Sequence, residues 1–586
     1  MYFSDKILKF ISFSLAILPA IFLGILIFMY GVNSPYWDQW VVGNLFIKFH
    51  SRSLSFSDLF DQQNESRLFF PRLIFISLAY LTHWDVRYEF WVIFLLACIV
   101  SANIYCLSNL TVSGSTLKKL LLATISNLLI FSPIQYENWL WGIQIVVFVP
   151  IVCLTTCILV AYSGLSARAK FLICMCLSTV STYSYANGIL CWVLALPVLT
   201  LKSRKELAKN RWLLFIWIIS FVINAVAYFY NYQKPSYHPS CLEALKHPQQ
   251  AIHYFLSFLG APLAFGSDIE PLTAAPIIGL ALILLFLASS FYVLKKASSS
   301  NLLLLLAGWL TIGWYTIISD IITTLGRVGF GVEQSLSSRY MTFSVYLTIS
   351  LVYIITIVAE RLKNKNYLGA DTKKIIAQFP VFLMTIILVL HLQSSVYGVQ
   401  LMSQSRSDRL QRKSCLLFMN VLPQECLAKR VFPVLPILKE TAPALDKLGY
   451  LHPALLKTNK IQDIKVESNL SSHYGYFDKL TKANKDVYVA SGWAVLPERE
   501  ETADLVVLTY KKVEGEPIIF AIVDTFNIVR QDVAKAFKKQ SYSNSGWEKS
   551  FDSSQMPSGS LKVEAWAFNS DSGKAFHLNS THVIQN

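Results

Sequence analysis

Charge is scarce in this chain: only 15% of its 586 residues are Asp, Glu, Lys or Arg, against 54% that are hydrophobic. A soluble chain of this length has no use for so much apolar surface, whereas a polytopic membrane protein does. Other absences narrow the field. There is no Walker or Rossmann glycine pattern, and the longest basic connection between apolar runs, about 359–374, is too short to fold into a nucleotide site. No basic-aromatic nucleic-acid motif is present, so nucleic acid is not an expected partner. No H-E-x-x-H motif or triad-like grouping occurs among the ten histidines, each of which reads as structural or surface. Seven of the ten cysteines lie in or beside apolar runs without histidine partners, so they read as small core residues and no metal site is expected. No internal repeat and no small-x-small cleavage site after the first apolar run are visible, so residues 7–30 read as a retained span.

Apolar runs recur at about 7–30, 87–110, 117–134, 140–162, 169–185, 188–201, 211–232, 272–294, 301–322, 340–358 and 375–396. Two shorter runs with proline, 68–82 and 251–266, fall short of a comfortable span. If those two do not cross, basic clusters fall at every second connection. One side then holds 18 Lys/Arg and 4 Asp/Glu, the other 9 and 12. This is the positive-inside asymmetry. It predicts about eleven transmembrane helices, the N-terminus cytoplasmic, the C-terminus extracytoplasmic, and the short runs lying along the outer surface.

The acids therefore gather outside. The first outer loop, 31–86, carries Asp38, Asp58, Asp61, Glu65, Arg67, Arg72 and Asp85. Stretches around 134–144, 183–189, 266–270 and 326–343 add Glu137, Trp139, Gln144, Arg327, Arg339 and Tyr340. Amides and carboxylates suit sugar hydroxyls, aromatic faces suit the C–H side of a sugar ring, and arginine forks suit phosphate. Plainer readings stand beside these. Asp38, between Trp37 and Trp40, is placed to cap a helix starting at Gln39. Arg67 and Arg72 are placed to hold lipid headgroups. Arg339 fits an interfacial anchor and Arg327 a loop residue. Glu137, Trp139 and Gln144 fit an interface belt.

The "YWDQW" stretch at 36–40, the long first outer loop with its surface helices, the span count and the outer tail resemble the GT-C glycosyltransferases. Among these are the aminoarabinose transferases and protein O-mannosyltransferases, which use polyprenyl-phosphate sugars. The resemblance covers residues 1–396, with one acid at position 38 rather than an acid pair. It implies a GT-C-like fold and transfer of a sugar from a polyprenyl-phosphate donor to a glycan, lipid or protein acceptor. The site would face outward in a bacterial inner membrane. Asp38 would be the catalytic base. Arg67, Arg327 and Arg339 would meet the phosphate, and Glu65, Glu137, Trp139, Gln144 and Tyr340 would line the substrate site. No cofactor is implied beyond the lipid-linked donor, a divalent metal being possible but not indicated, and membrane lipids are the other partners. A flippase of lipid-linked sugars would place charges at mid-bilayer on broken helices, and a membrane acyltransferase would want a reactive His or Ser.

Beyond the spans, 397–472 reads as a helical connector, and 473–586 as a β-sandwich with strands at 486–496, 503–511, 517–526 and 561–570. The stretch 529–547 resembles β-domains appended to bacterial surface-polysaccharide proteins, which implies acceptor docking or sugar binding; a plain structural cap is the alternative. Trp493, Trp547 and Trp566 are core residues or sugar platforms. Cys415 and Cys426, past the last span, are placed to form a disulfide.

Overall fold

The computed structural model describes every residue except 1, 297–300, 364–368, 423–425, 467–472, 485, 513–514, 526–527 and 586, and no side chains before residue 7. Part of the last basic connection and Phe526 of the expected strand 517–526 thus lie outside the described residues. The chain divides into two compact units: Met1–Gly31, Leu54–Ser77 and Arg87–Ser403 in one, Val32–Ser53, Leu78–Val86 and Gln404–Asn586 in the other. Sequence reading assigned all of 31–86 to the membrane half, and this is corrected: two pieces of that loop belong to the C-terminal unit.

The first unit is a multi-pass helical bundle. Among the described residues nine helices are long and apolar enough to cross a membrane, from Ile7–Tyr30 to Ala370–Leu417. The other two expected spans are helical but shorter, Ala167–Thr182 with 16 residues and Ala186–Lys202. At 1.5 Å per residue a 16-residue helix is roughly 24 Å long, less than a bilayer core. Their ends make polar contacts with neighbouring connections. At one end the Ala167 N–H donates to Glu206 (2.7 Å), the Lys202 ammonium lies 3.6 Å over the Tyr162 ring, and Lys118 pairs with Glu360. At the other, Phe70 N–H donates to the Tyr183 carbonyl (3.3 Å), Ala186 N–H to Ser66 Oγ (3.1 Å), and Ser338 Oγ to the Ile134 carbonyl (2.8 Å). Connections alternate between a basic end and a mixed polar end, as the charge pattern predicts. A Ser113→Cys label site, with exposed Cys106, Cys176 and Cys241 replaced, should react with impermeant maleimide only from the cytoplasmic side. Labelling from outside would overturn the orientation.

The run near 251–266 departs from expectation. The helix Pro248–Gly260 does not lie open on a surface: Tyr254, Phe258 and Leu259 are fully buried, and Ser344 Oγ donates to the Phe258 carbonyl at 2.7 Å. The reason is a glycine pair. A Cβ on Gly260 would sit 2.0 Å from the Ala275 carbonyl oxygen, and one on Gly279 1.9 Å from that of Leu256. Two bare backbones let this helix press into Pro271–Lys295.

In the second unit the helix Gln39–His50 turns Gly43 toward Thr441 and Leu445 of the helix Leu435–Lys447. Trp84 packs edge-on against Trp40 and Phe46, with centroids 6.1 and 5.0 Å away. The strands include Val487–Leu496, Leu505–Lys511, Ile518–Val523 and Ser560–Asn569. They form a six-stranded and a four-stranded sheet that share one core, with Phe477, Tyr488 and Trp547 from one and Val506, Leu508 and Val563 from the other. The β region begins before residue 473, because Lys465–Val466 pairs with Ala575–Phe576 and Ile461 and Ile464 pack under Leu505 and Trp566. Trp547 and Trp566 are core; of the three tryptophans considered, only Trp493 is half-exposed.

Cys415 and Cys426 form a disulfide, with Cα atoms 6.0 Å apart. Unreduced protein should give no thiol titre for either residue. Cys415→Ser should lower the stability of this unit by about 2–4 kcal/mol, read as a shift in its unfolding midpoint. An unchanged midpoint would assign the bridge no stabilising role.

Candidate functional site

At the mixed polar end of the bundle, residues 62–67 make a minimal hairpin, Gln62–Gln63 pairing with Ser66–Arg67, with Asn64 in the left-handed region (φ 52°). Two-residue strands cannot stand alone, so side chains hold this one. Arg67 is 5% exposed. Its Nε donates to the Tyr228 carbonyl (2.7 Å), its Nη1 to that of Phe60 (3.0 Å), and its Nη2 to that of Tyr230. Gln62 and Gln233 exchange two hydrogen bonds (2.6 and 3.1 Å), and the Tyr228 hydroxyl donates to the Glu65 carbonyl (2.6 Å). Arg67 as a phosphate partner is corrected: all three guanidinium nitrogens are spent on backbone. Arg72 has a similar task, donating to the carbonyls of Asp58, Leu59 and Asp61, and burial pulls its pKa down to about 10 against the pull of Asp61 and Asp58.

This bracket presents Glu65 to two cationic or basic side chains from other loops. Arg327 Nη2 lies 2.9 and 3.0 Å from the two carboxylate oxygens, and His238 Nδ1 lies 2.5 Å from Oε1. Glu65 and Arg327 remain partly open, with side chains 28% and 22% exposed, while His238 is only 6% exposed. Burial pushes the His238 pKa down, Glu65 pulls it up, and Arg327 and Lys234 push it down further; the net direction is down. Tyr237 and Phe330 stand edge-on to the His238 ring.

A second group joins Glu137 and Arg339. The Glu137 carboxylate accepts the Arg339 backbone N–H (3.1 Å), and Glu137 N–H donates to Ser338 Oγ (3.2 Å). A carboxylate on the first turn of Ser338–Lys363 complements the helix dipole, so Glu137 acts as a cap. Asn138 donates to the Arg339 carbonyl (3.0 Å) and to Thr342 Oγ1 (2.5 Å). Burial lifts the pKa of the Tyr185 hydroxyl to about 12. Trp139 is fully buried, with Nε1 donating to the Ser132 carbonyl (2.9 Å), and Gln144 is 5% exposed. Both therefore stand in the core. Tyr340 is 7% exposed and stacks on Phe258 at 5.6 Å.

Asp38 belongs to the other unit. It stands at the N-cap position of Gln39–His50, and its carbonyl accepts Val41 N–H at 3.1 Å, yet its side chain makes no capping hydrogen bond. Trp37 before it takes a left-handed φ of 47°, and the Tyr36 ring lies 4.0 Å under the Arg409 guanidinium. The plain capping account of this acid thus lacks its hydrogen bond.

His238 and Asp320 were missed by sequence reading. A lone histidine in "PSYHPS" has no local signal, whereas Asp320 could have been found as an acid inside an apolar run. It is fully buried in Leu302–Arg327, accepts from Thr324 Oγ1 (3.1 Å), and its Oδ2 has no hydrogen-bond partner among the described residues. Among the described residues there is no group of three or more His, Cys, Asp or Glu placed to hold a metal ion.

No protein-family model matches the chain, and no curated relative matches it. It is similar to a solved structure, ArnT from Cupriavidus metallidurans bound to undecaprenyl phosphate. Identity is 12%, the similarity spans 70% of this chain and 81% of that one, and the TM-score is 0.38.

Proposed function

We propose that this chain is a GT-C-type membrane glycosyltransferase. It moves a sugar from a polyprenyl-phosphate carrier to a glycan, lipid or protein acceptor on the outer face of a bacterial inner membrane. The observation that carries the reading is the partly open Glu65–Arg327 ion pair with His238 beside it, at the end of the bundle opposite the basic connections. In the reaction the bond from the sugar's anomeric carbon to the phosphate oxygen breaks, and its electron pair stays on the phosphate. A bond to the acceptor oxygen forms, and the acceptor's proton passes to a carboxylate, for which we propose Asp38. The departing phosphate gains negative charge, so cationic groups that meet it stabilise the transition state more than the ground state. Arg327 and Arg339 are the proposed partners.

A flippase of lipid-linked sugars is the second reading, favoured by Asp320, since an acid enclosed in a spanning helix often marks a translocation path. Mass spectrometry of surface glycans and of lipid-linked sugars, with and without the gene, separates the two. Loss of one sugar with intact carrier flipping supports the transferase; lipid-linked sugar trapped in the inner leaflet supports the flippase.

A further inference from the structure

We infer that Glu65 is an internal stand-in for the donor's phosphate: it occupies Arg327 and His238 in the empty site and yields them to a phosphate anion when the carrier lipid arrives. This rests on the polyprenyl-phosphate reading above and adds a competitor anion and a third phosphate-contacting residue, His238. The geometry favours exchange. Only Nη2 of the Arg327 fork meets Glu65 among the described residues, whereas a phosphate oxygen pair can use the planar fork in full. The Glu65–Arg327 pair is partly solvated, and such pairs are held weakly, so one anion replaces another at low cost. His238, its side chain more than nine-tenths buried, brings Nδ1 to 2.5 Å from Glu65 Oε1, an oxygen that also lies 2.9 Å from Arg327 Nη2, and that nitrogen has no hydrogen-bond partner among the described residues. The two groups therefore converge on one anionic position. Around His238 the charged and titratable neighbours are Glu65, Arg327 and Lys234, with Tyr237 at its edge.

The hairpin itself does not depend on the carboxylate. Its bonds run through Arg67, Gln62 and the Glu65 carbonyl, so the side chain can be changed without unclamping the loop. A residue that merely braces the site would weaken ligand binding when neutralised. A stand-in does the opposite: removing it should tighten binding.

The test uses full-length protein in phosphatidylcholine nanodiscs, titrated with undecaprenyl phosphate. Glu65→Gln and Glu65→Ala should each bind at least about threefold tighter than wild type, and Glu65→Asp about as wild type. His238→Gln should bind about threefold weaker and Arg327→Gln at least tenfold weaker. Inorganic phosphate should compete weakly and phosphatidylglycerol hardly at all. Unchanged or weaker binding by both neutral Glu65 variants, with monodisperse protein, overturns the stand-in while leaving the transferase reading in place. Equal competition by phosphatidylglycerol makes the cluster a general headgroup site and overturns the assignment to the carrier. Absence of undecaprenyl phosphate binding by the wild type overturns the polyprenyl-phosphate reading itself.

Discussion

Asp38→Asn should leave protein abundance and membrane insertion unchanged while slowing sugar transfer by roughly 10²–10⁴-fold, the usual loss when a general base is removed. Asparagine keeps the size of aspartate and serves as well at a helix N-terminus, so the substitution isolates proton acceptance. The local structure sharpens the comparison. Asp38 holds the N-cap position by its backbone, but its side chain makes no capping bond to Gln39–His50. A purely structural aspartate there would let the Asn variant transfer sugar at a near-normal rate. The measurement is transfer from a polyprenyl-phosphate sugar in liposomes at matched protein amounts. Near-normal turnover would remove Asp38 from the chemistry.

Arg67→Ala should act on stability instead. Its guanidinium serves three backbone carbonyls in a site only 5% exposed. Truncation strands those acceptors, each costing about 1–3 kcal/mol when buried without a partner, so the expected loss is about 3 kcal/mol or more. Lysine cannot restore the planar fork, and Arg67→Lys should recover little. Limited proteolysis should cut the 58–67 segment in both variants while sparing the wild type. Variants that resist cleavage but fail to bind undecaprenyl phosphate would return Arg67 to the phosphate site.

Much of the membrane half can be read from its sequence, because the bilayer imposes long apolar helices and loop charge imposes their alternation. The helices at 167–182 and 186–202 show where this ends: both are helical as expected, but their length is short for a span. Tertiary partners were harder to read. "WLWG" at 139–142 has an interface composition, yet Trp139 is core because its indole N–H finds the Ser132 carbonyl. The hairpin at 62–67 is too short for strand periodicity, and only its clamp on 228–233 creates it. Residues 32–53 pack with a segment about 400 positions later, through Gly43 against Leu445, and no local pattern announces such a contact. Glu65, Arg327 and Arg339 were legible as polar residues at span ends. Their neighbour His238 was not, since its role depends wholly on what it faces.

The most direct measurement is turnover by purified protein in proteoliposomes carrying a lipid extract from the source membrane, with sugar and carrier followed together by mass spectrometry. The account predicts that free polyprenyl phosphate and a glycosylated acceptor appear in equal amounts, and that both depend on Asp38 and Arg327. Lipid-linked sugar that crosses the bilayer with its sugar–phosphate bond intact, and no glycosylated product, would contradict it.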